Sequence, residues 1–85
     1  WMLPLVFRRP DGRYTAIVLN DNRAERAFVL PGNWRARELI MTSESAYEVR
    51  GDPAQVNGDE GVTVTLPPLS LVSMVLGLIL LYIVN

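Results

Sequence analysis

The sequence contains no cysteine, no histidine and no lysine. Without cysteine, neither a disulfide framework nor a thiolate metal site can form within it. Without histidine, it lacks the commonest general base, the commonest metal ligand and every Ser-His or Cys-His catalytic pair. We therefore expect no metal and no cofactor. An enzyme in its own right is disfavoured, because the sequence also shows no convergent set of polar residues.

An excess of charge of one sign is also missing. The eight basic residues are all arginine and face nine acidic residues, giving a net charge of −1. Arginines and aromatic residues do alternate in the middle of the chain, a pattern that can bind single-stranded nucleic acid: Trp34, Arg35, Arg37, Tyr47 and Arg50. Glutamates are interspersed among them, so we expect no nucleic-acid partner.

With 85 residues the chain can form one small domain. A domain of this size buries somewhat over about 60% of its unfolded surface, so we expect modest stability unless it leans on a neighbour. The chain begins at Trp1 rather than methionine and has no signal-peptide start. Both features are expected of a piece of a longer protein.

Short apolar runs recur at a spacing of roughly ten residues, separated by glycine, proline and asparagine. The pattern predicts an all-β fold, a small antiparallel β-sandwich of about six to eight short strands. Residues 34–42 contain helix formers, but the run is short and lies between strands, which favours a strand. The predicted strands cover residues 3–8, 14–20, 25–30, 34–42, 46–50, 62–66 and 69–76, with brief pairing at 54–56.

Two turn sequences are prominent. Pro10-Asp11-Gly12 predicts a tight hairpin between Phe7 and Tyr14, because proline presets the first turn position and glycine accepts positive φ. The segment Asn57-Gly58-Asp59-Glu60-Gly61 predicts a second reversal, in which Asn57-Gly58 supplies the positive φ values. Pro4 suits an edge strand, since it lacks a backbone donor.

The segment 62–76 has the strongest strand pattern. Its first half alternates valine and threonine, as a strand with one buried face does. Pro67-Pro68 then forces the chain to bend or cross over, and a second apolar run follows. We interpret the pair as the closing edge of the β domain.

The apolar run continues to the end of the chain, and no charged residue occurs from Leu69 to Val84. As a helix it would span about 24 Å, short of the roughly 30 Å hydrocarbon core of a bilayer. We rank continuation as a strand, with Gly77 as a kink, ahead of a helical tail or anchor, and a membrane span last. The predicted division is a β-sandwich over residues 1–76 and a hydrophobic tail over 77–85.

One family resemblance covers residues 5–76. The hairpin from Phe7 to Asn20 is similar to the "F-x-N-P-D-G-x-x-x-x-V-V-x-N" hairpin that opens the C-terminal β-sandwich of glycoside hydrolase family 30. Met41-Thr42-Ser43 and the segment 66–74 resemble the ending of that domain, and other clan-A glycosidases close in a similar way. The tail after Leu76 departs from the family pattern.

The resemblance implies a non-catalytic accessory domain, packed on the TIM barrel of a retaining glycoside hydrolase that belongs to the same chain. The two catalytic carboxylates of such enzymes lie on the barrel, so none of the acidic residues here inherits a catalytic role. It also implies a secreted or cell-surface protein and polysaccharide as a further partner. The alternative is an independent carbohydrate-binding or cell-surface interaction module, anchored by its C-terminal tail.

Aromatic residues next to loops are the candidates for stacking on sugar rings. Trp34 is first among them because it follows the Pro-Gly-Asn loop, and Tyr14, Tyr47 and Trp1 are further candidates. The competing interpretation, which we favour, is that Trp34 packs at the mouth of the sandwich or against the barrel.

The acidic residues offer weaker candidates for chemistry. The pairs Asp59-Glu60 and Glu44/Glu48 could act as acid and base, but they lie in or beside turns, where carboxylates are ordinarily solvated. Asp21 and its neighbour Asn22 could contribute to a calcium site. Turn formation is the interpretation we favour for that loop.

Overall fold

The computed structural model describes residues 2–78. Within this range the chain forms eight strands and one short 3₁₀ helix, which covers Pro53–Gln55. The strands are β1 (Met2–Arg8), β2 (Tyr14–Asn20), β3 (Arg26–Pro31), β4 (Trp34–Thr42), β5 (Val49–Arg50), β6 (Asn57–Gly58), β7 (Gly61–Leu66) and β8 (Ser70–Leu78).

The strands form two antiparallel sheets. The larger sheet has five strands in the order β1-β2-β8-β4-β5, and the smaller has three in the order β3-β7-β6. The predicted small antiparallel β-sandwich is confirmed. The helix formers of β4 do adopt a strand, because the strand gains pairing partners on both sides of its second half.

The hairpin between β1 and β2 forms as predicted, with Arg8 opposite Tyr14. Gly12 takes a φ of 84°, and the Arg9 N–H donates to the Arg13 carbonyl over 2.7 Å. Among the described strands β1 pairs only with β2, so Pro4 lies in an edge strand of the described sheet.

The core lies between the sheets, where alternate residues of each strand point inward. β7 shows the alternation most clearly, because its valines and Leu66 are buried while Thr63 and Thr65 are exposed. The fully buried apolar residues come from four strands: Ala16, Val18, Ala36, Leu39, Val62, Val64, Leu66, Val72, Met74 and Leu76.

The predicted crossing at Pro67-Pro68 is confirmed, because β7 and β8 lie in different sheets. The prediction that these strands form a closing edge is wrong. β8 lies between β2 and β4, and β7 lies between β3 and β6. Leu69, with a φ of 49°, turns the chain into the larger sheet. β8 has apolar residues on both faces, as suits a strand flanked on both sides.

The strand predicted over residues 46–50 is shorter than expected, because only Val49 and Arg50 pair with β4. Glu48 has a φ of 49°, and its N–H donates to the Thr42 side-chain oxygen over 3.2 Å. This local turn removes Ala46 to Glu48 from the sheet.

The brief pairing predicted for residues 54–56 is also wrong, since the chain there forms the 3₁₀ helix. Pro53 occupies the first turn of this helix, where its missing donor costs nothing. The Asp52 side chain caps the turn by accepting from the Ala54 N–H over 3.0 Å.

The second reversal forms within the predicted segment 57–61, but the residues that make it differ from the predicted Asn-Gly pair. Asn57 and Gly58 are the strand β6, and Asp59 and Glu60 make the turn between β6 and β7. The positive φ of 131° belongs to Gly61. The Asn-Gly pair therefore does not supply the positive φ values of this turn.

β8 passes through Gly77 and includes Leu78, the last described residue, two residues beyond the predicted boundary at Leu76. The predictions for the rest of the tail, residues 79–85, and for Trp1 lie outside the described residues. From Met2 to Leu78 no helix is long and apolar enough to span a membrane.

Candidate functional site

The aromatic residues Tyr14 and Trp34 lie close together, on the inner face at one end of the larger sheet. Tyr14 pairs with Leu76 and Trp34 with Leu78, on opposite sides of β8. Their ring centroids are 5.0 Å apart and the ring planes meet at 86°. Both are partly buried against the core. Perpendicular rings stabilise each other edge to face, but they do not offer one flat surface to a sugar ring.

Tyr47 is not brought to the same place. It lies in the segment between β4 and β5 and is 79% exposed. Trp34 begins β4 and Tyr47 follows its end, a separation of roughly 26 Å at about 3.3 Å per residue. The three predicted sugar-contacting residues therefore form one pair and one isolated tyrosine, and their contact with carbohydrate stays a prediction.

The acidic candidates show no grouping for chemistry. Asp59 and Glu60 are exposed in the β6–β7 turn, and Glu44 and Glu48 are exposed beside β5. In the part of the chain that the structure describes, no three acidic side chains gather as they would around a metal ion.

The loop proposed for calcium consists of turn contacts. Both the backbone N–H and the side-chain amide of Asn22 donate to the Asn20 side-chain oxygen, over 3.1 and 2.7 Å. The Asn22 carbonyl accepts from the Leu69 N–H over 3.0 Å. These bonds tie the loop to the crossover between β7 and β8.

The most distinctive surface is the outer face of β1, β2 and β8. Residues 16 and 18 of β2 are buried, so their neighbours in sequence point away from the core. The strand register then places Leu5, Ile17 and Ser73 in one row across the three strands. We call the apolar members of this surface the apolar face: Leu3, Leu5, Phe7, Ile17, Leu19, Leu71 and Val75.

The apolar face is open to solvent in the described structure. Phe7 is 52% exposed and Leu5 47%, while Ile17 and Val75 are half-buried between their neighbours. None of its members carries a charge. The largest contiguous apolar patch on a soluble monomer is commonly about 300–600 Å² and is often functional.

Charged residues border the apolar face on the β4 side. A bulge in β4 between Ala36 and Glu38 inserts Arg37 as an extra residue. Arg37 then lies over Gly77 of β8, where a β-carbon would stand only 3.3 Å from its Nε. Arg35 pairs with Gly77 on the same row. Glycine at this position leaves room for the arginine to lie across β8.

Sequence reasoning identified the strands of this surface but missed the surface itself. Apolar residues on both faces of these strands could have revealed the surface. That pattern was instead interpreted as burial of both faces inside the sandwich. Searches of protein-family models, of curated proteins and of solved structures find no match to the chain.

Proposed function

We propose that this chain is a non-catalytic β-sandwich module that packs through its apolar face on a neighbouring domain. The neighbour we infer is the TIM barrel of a glycoside hydrolase, in the same polypeptide. The observation that carries the proposal is the uncharged, solvent-open outer face of β1, β2 and β8.

The size of the apolar face favours a neighbour in the same chain over an independent partner. Three strands at about 4.8 Å spacing and roughly 20 Å of strand length give a patch on the order of 300 Å². A stable complex between separate proteins buries about 800 Å² on each partner. Contacts between domains of one chain begin at about 300 Å² per side, which is the scale of this face.

The glycoside hydrolase assignment is supported by where the family resemblance falls. The segment from Phe7 to Asn20 and the segment 66–74 resemble the opening and closing of the family 30 sandwich. Those segments supply β2, much of β8 and the end of β1, the strands that carry the apolar face. A secreted or cell-surface location belongs to the same proposal, because polysaccharide substrates are extracellular.

An independent carbohydrate-binding module remains the second candidate function. The strongly exposed Tyr47 favours it, because an aromatic ring in a loop is free to stack on a sugar. The half-buried Tyr14–Trp34 pair gives it less support, because the two perpendicular rings do not offer one flat surface to a sugar.

The proposal is tested by adding the 85-residue chain to a family 30 barrel that has been expressed without its own β-sandwich. Calorimetric titration measures binding, and the melting temperature of the barrel measures stabilisation. We expect the chain to bind and stabilise the barrel, and Leu5→Asp to abolish both effects because it buries a charge in the interface.

The matched control is Val29→Asp on the smaller sheet. Val29 is 59% exposed, more than Leu5, and its neighbours Phe28 and Leu30 pack inward. This variant changes the same charge at an equally open apolar position, and we expect it to leave binding intact. A barrel that gains no stability from the chain contradicts the proposal, as does equal loss of binding in the two variants.

A further inference from the structure

Asn57 joins the two sheets through its side chain. Its Oδ1 accepts from the Ala36 N–H over 2.7 Å, and its Nδ2 donates to the Ala36 carbonyl over 3.0 Å. Asn57 belongs to β6 in the smaller sheet, whereas Ala36 belongs to β4 in the larger. Ala36 is 3% exposed, so its backbone groups have little access to water. One carboxamide therefore satisfies both polar groups of a buried residue.

The position of this contact follows from the short neighbouring strand. β5 pairs with β4 only at Ile40 and Met41 and does not reach Ala36. On its other side Ala36 pairs with Leu76 of β8. The Asn57 amide thus takes the place of a strand at the open edge, and buried backbone groups without such a partner are costly.

The residue after Asn57 makes the same carboxamide chemically labile. Gly58 has no side chain to hinder the approach of its backbone nitrogen to Asn57 Cγ. Attack by that nitrogen forms a five-membered succinimide and expels the side-chain nitrogen as ammonia. Water then opens either carbonyl to give aspartate or isoaspartate. The net change is amide plus water to carboxylic acid plus ammonia, with no oxidant or reductant.

We propose that Asn57-Gly58 is a self-modification site that the folded sandwich holds unreactive and that opening of the sandwich releases. The attack requires the Asn57 side chain to turn toward Gly58. In the folded chain both of its polar atoms are held by Ala36, and the backbone of both residues is paired with β7. Unfolding frees all of these groups together.

Deamidation of Asn57 is expected to lower the stability of the refolded sandwich. A carboxylate at position 57 accepts hydrogen bonds but donates none, so the buried Ala36 carbonyl loses its donor and faces a negative charge. Isoaspartate also lengthens the backbone by one atom and shifts the pairing of β6 with β7. Each excursion to the unfolded state therefore leaves molecules that unfold more readily.

The test compares deamidation of the whole chain at neutral pH in buffer and in denaturing urea, followed by peptide mass spectrometry. We expect Asn57 to react at least about tenfold more slowly in the folded chain, since a side chain held by two hydrogen bonds reacts only after the structure around it opens. The internal controls are Asn20, Asn22 and Asn33, each followed by a residue with a side chain. In urea these should react more slowly than Asn57.

Gly58→Ala separates the chemistry from the fold. A β-carbon on Gly58 would meet only the Gly61 carbonyl oxygen, at an ordinary 3.6 Å, so the variant should fold. It should slow the reaction in urea. The deamidated wild-type chain, isolated and refolded, should unfold at lower urea than the parent. Equal rates in buffer and urea, no preference for Asn57 over Asn33 in urea, or an unchanged unfolding midpoint of the product each overturn the proposal.

Discussion

A single buried asparagine, Asn20, fixes the end of β2 to the crossover between the sheets. Its side chain is fully buried, and its amide donates to the carbonyls of Ala24, Leu66 and Pro67 over 3.1, 3.2 and 2.8 Å. Its oxygen accepts from both nitrogens of Asn22. Removing this amide leaves buried acceptors unpaired, which is more costly than losing a bond between exposed groups.

We therefore expect Asn20→Ala to lower the free energy of unfolding by about 3 kcal/mol, measured by urea titration. Asn33→Ala is the control, because Asn33 is exposed in the turn between β3 and β4. That change should stay within about 0.5 kcal/mol, as surface substitutions do. Equal losses in the two variants would show that the Asn20 network contributes little.

Trp34 distinguishes a packing role from a sugar-binding role. Because it packs edge to face on Tyr14 and against the core, we expect Trp34→Ala to lower the free energy of unfolding by about 2 kcal/mol. Its mobility in affinity gels containing glucan, xylan or galactan should match that of the wild type. Tyr47→Ala, at an exposed site, should change neither property. Retention lost in either variant without a change in stability favours the carbohydrate-binding module.

At the scale of residues, predictions succeeded where local chemistry decides the outcome. Pro10-Asp11-Gly12 forms its turn because proline fixes its own φ angle and glycine accepts the positive φ that the turn requires. The segment 57–61 was predicted as a turn by the same logic and does reverse the chain, but the turn itself is made by Asp59 and Glu60. Asn57 and Gly58 are paired in β6, and the Asn57 side chain bonds to Ala36, 21 positions away. No local pattern reveals that contact, and the sequence likewise gave no sign that Asn20 would be buried.

Among the elements, β7 depends most on one glycine. Gly61 has a φ of 131°, and a β-carbon there would overlap the Leu30 carbonyl oxygen of β3. We expect Gly61→Ala to cost at least about 3 kcal/mol of folding free energy, from strain and overlap together. Either β3 or β7 has to move to admit the methyl group.

The matched control is Gly12→Ala in the β1–β2 hairpin. Gly12 also has positive φ, 84°, but nothing lies within 4 Å of the position of its β-carbon. Its substitution therefore carries the conformational cost alone, about 1 kcal/mol. Urea titration of both variants separates the conformational cost of positive φ from the cost of steric overlap. If Gly61→Ala lowers the free energy of unfolding no more than Gly12→Ala does, the close approach of β3 to β7 at Gly61 is contradicted.

The order of the strands was less accessible to sequence reasoning than their positions. Alternation of valine and threonine predicted β7 correctly, because the pattern reports one buried face. It carried no information on which strand would pair with which. β2 and β8 pair although some fifty residues separate them along the chain, so the central place of β8 could be established only from the assembled sheet.

The two sheets differ in width, and this difference leaves one edge of the larger sheet exposed on both faces. The smaller sheet has three strands and cannot cover all five strands of the larger one. The smaller sheet does not cover β1. Val6 of β1 is 50% exposed, whereas Ala16, which pairs with it on β2, is buried. Leu5 and Phe7 on the other face of β1 are exposed as well. A domain that packs on the apolar face could therefore also contact the exposed side chains of β1.

A folded chain with a contiguous apolar face should bind a hydrophobic dye such as ANS without being denatured. Single scattered apolar residues bind such dyes poorly, so the signal should come from the face rather than from Val29 on the smaller sheet. We expect Leu5→Ser to reduce dye fluorescence by at least about half and to change the free energy of unfolding by no more than about 0.5 kcal/mol. Val29→Ser should preserve the fluorescence. If both variants lose it equally, or if the dye binds only as urea unfolds the chain, the apolar face is not a binding surface and the proposed packing on a barrel loses its basis.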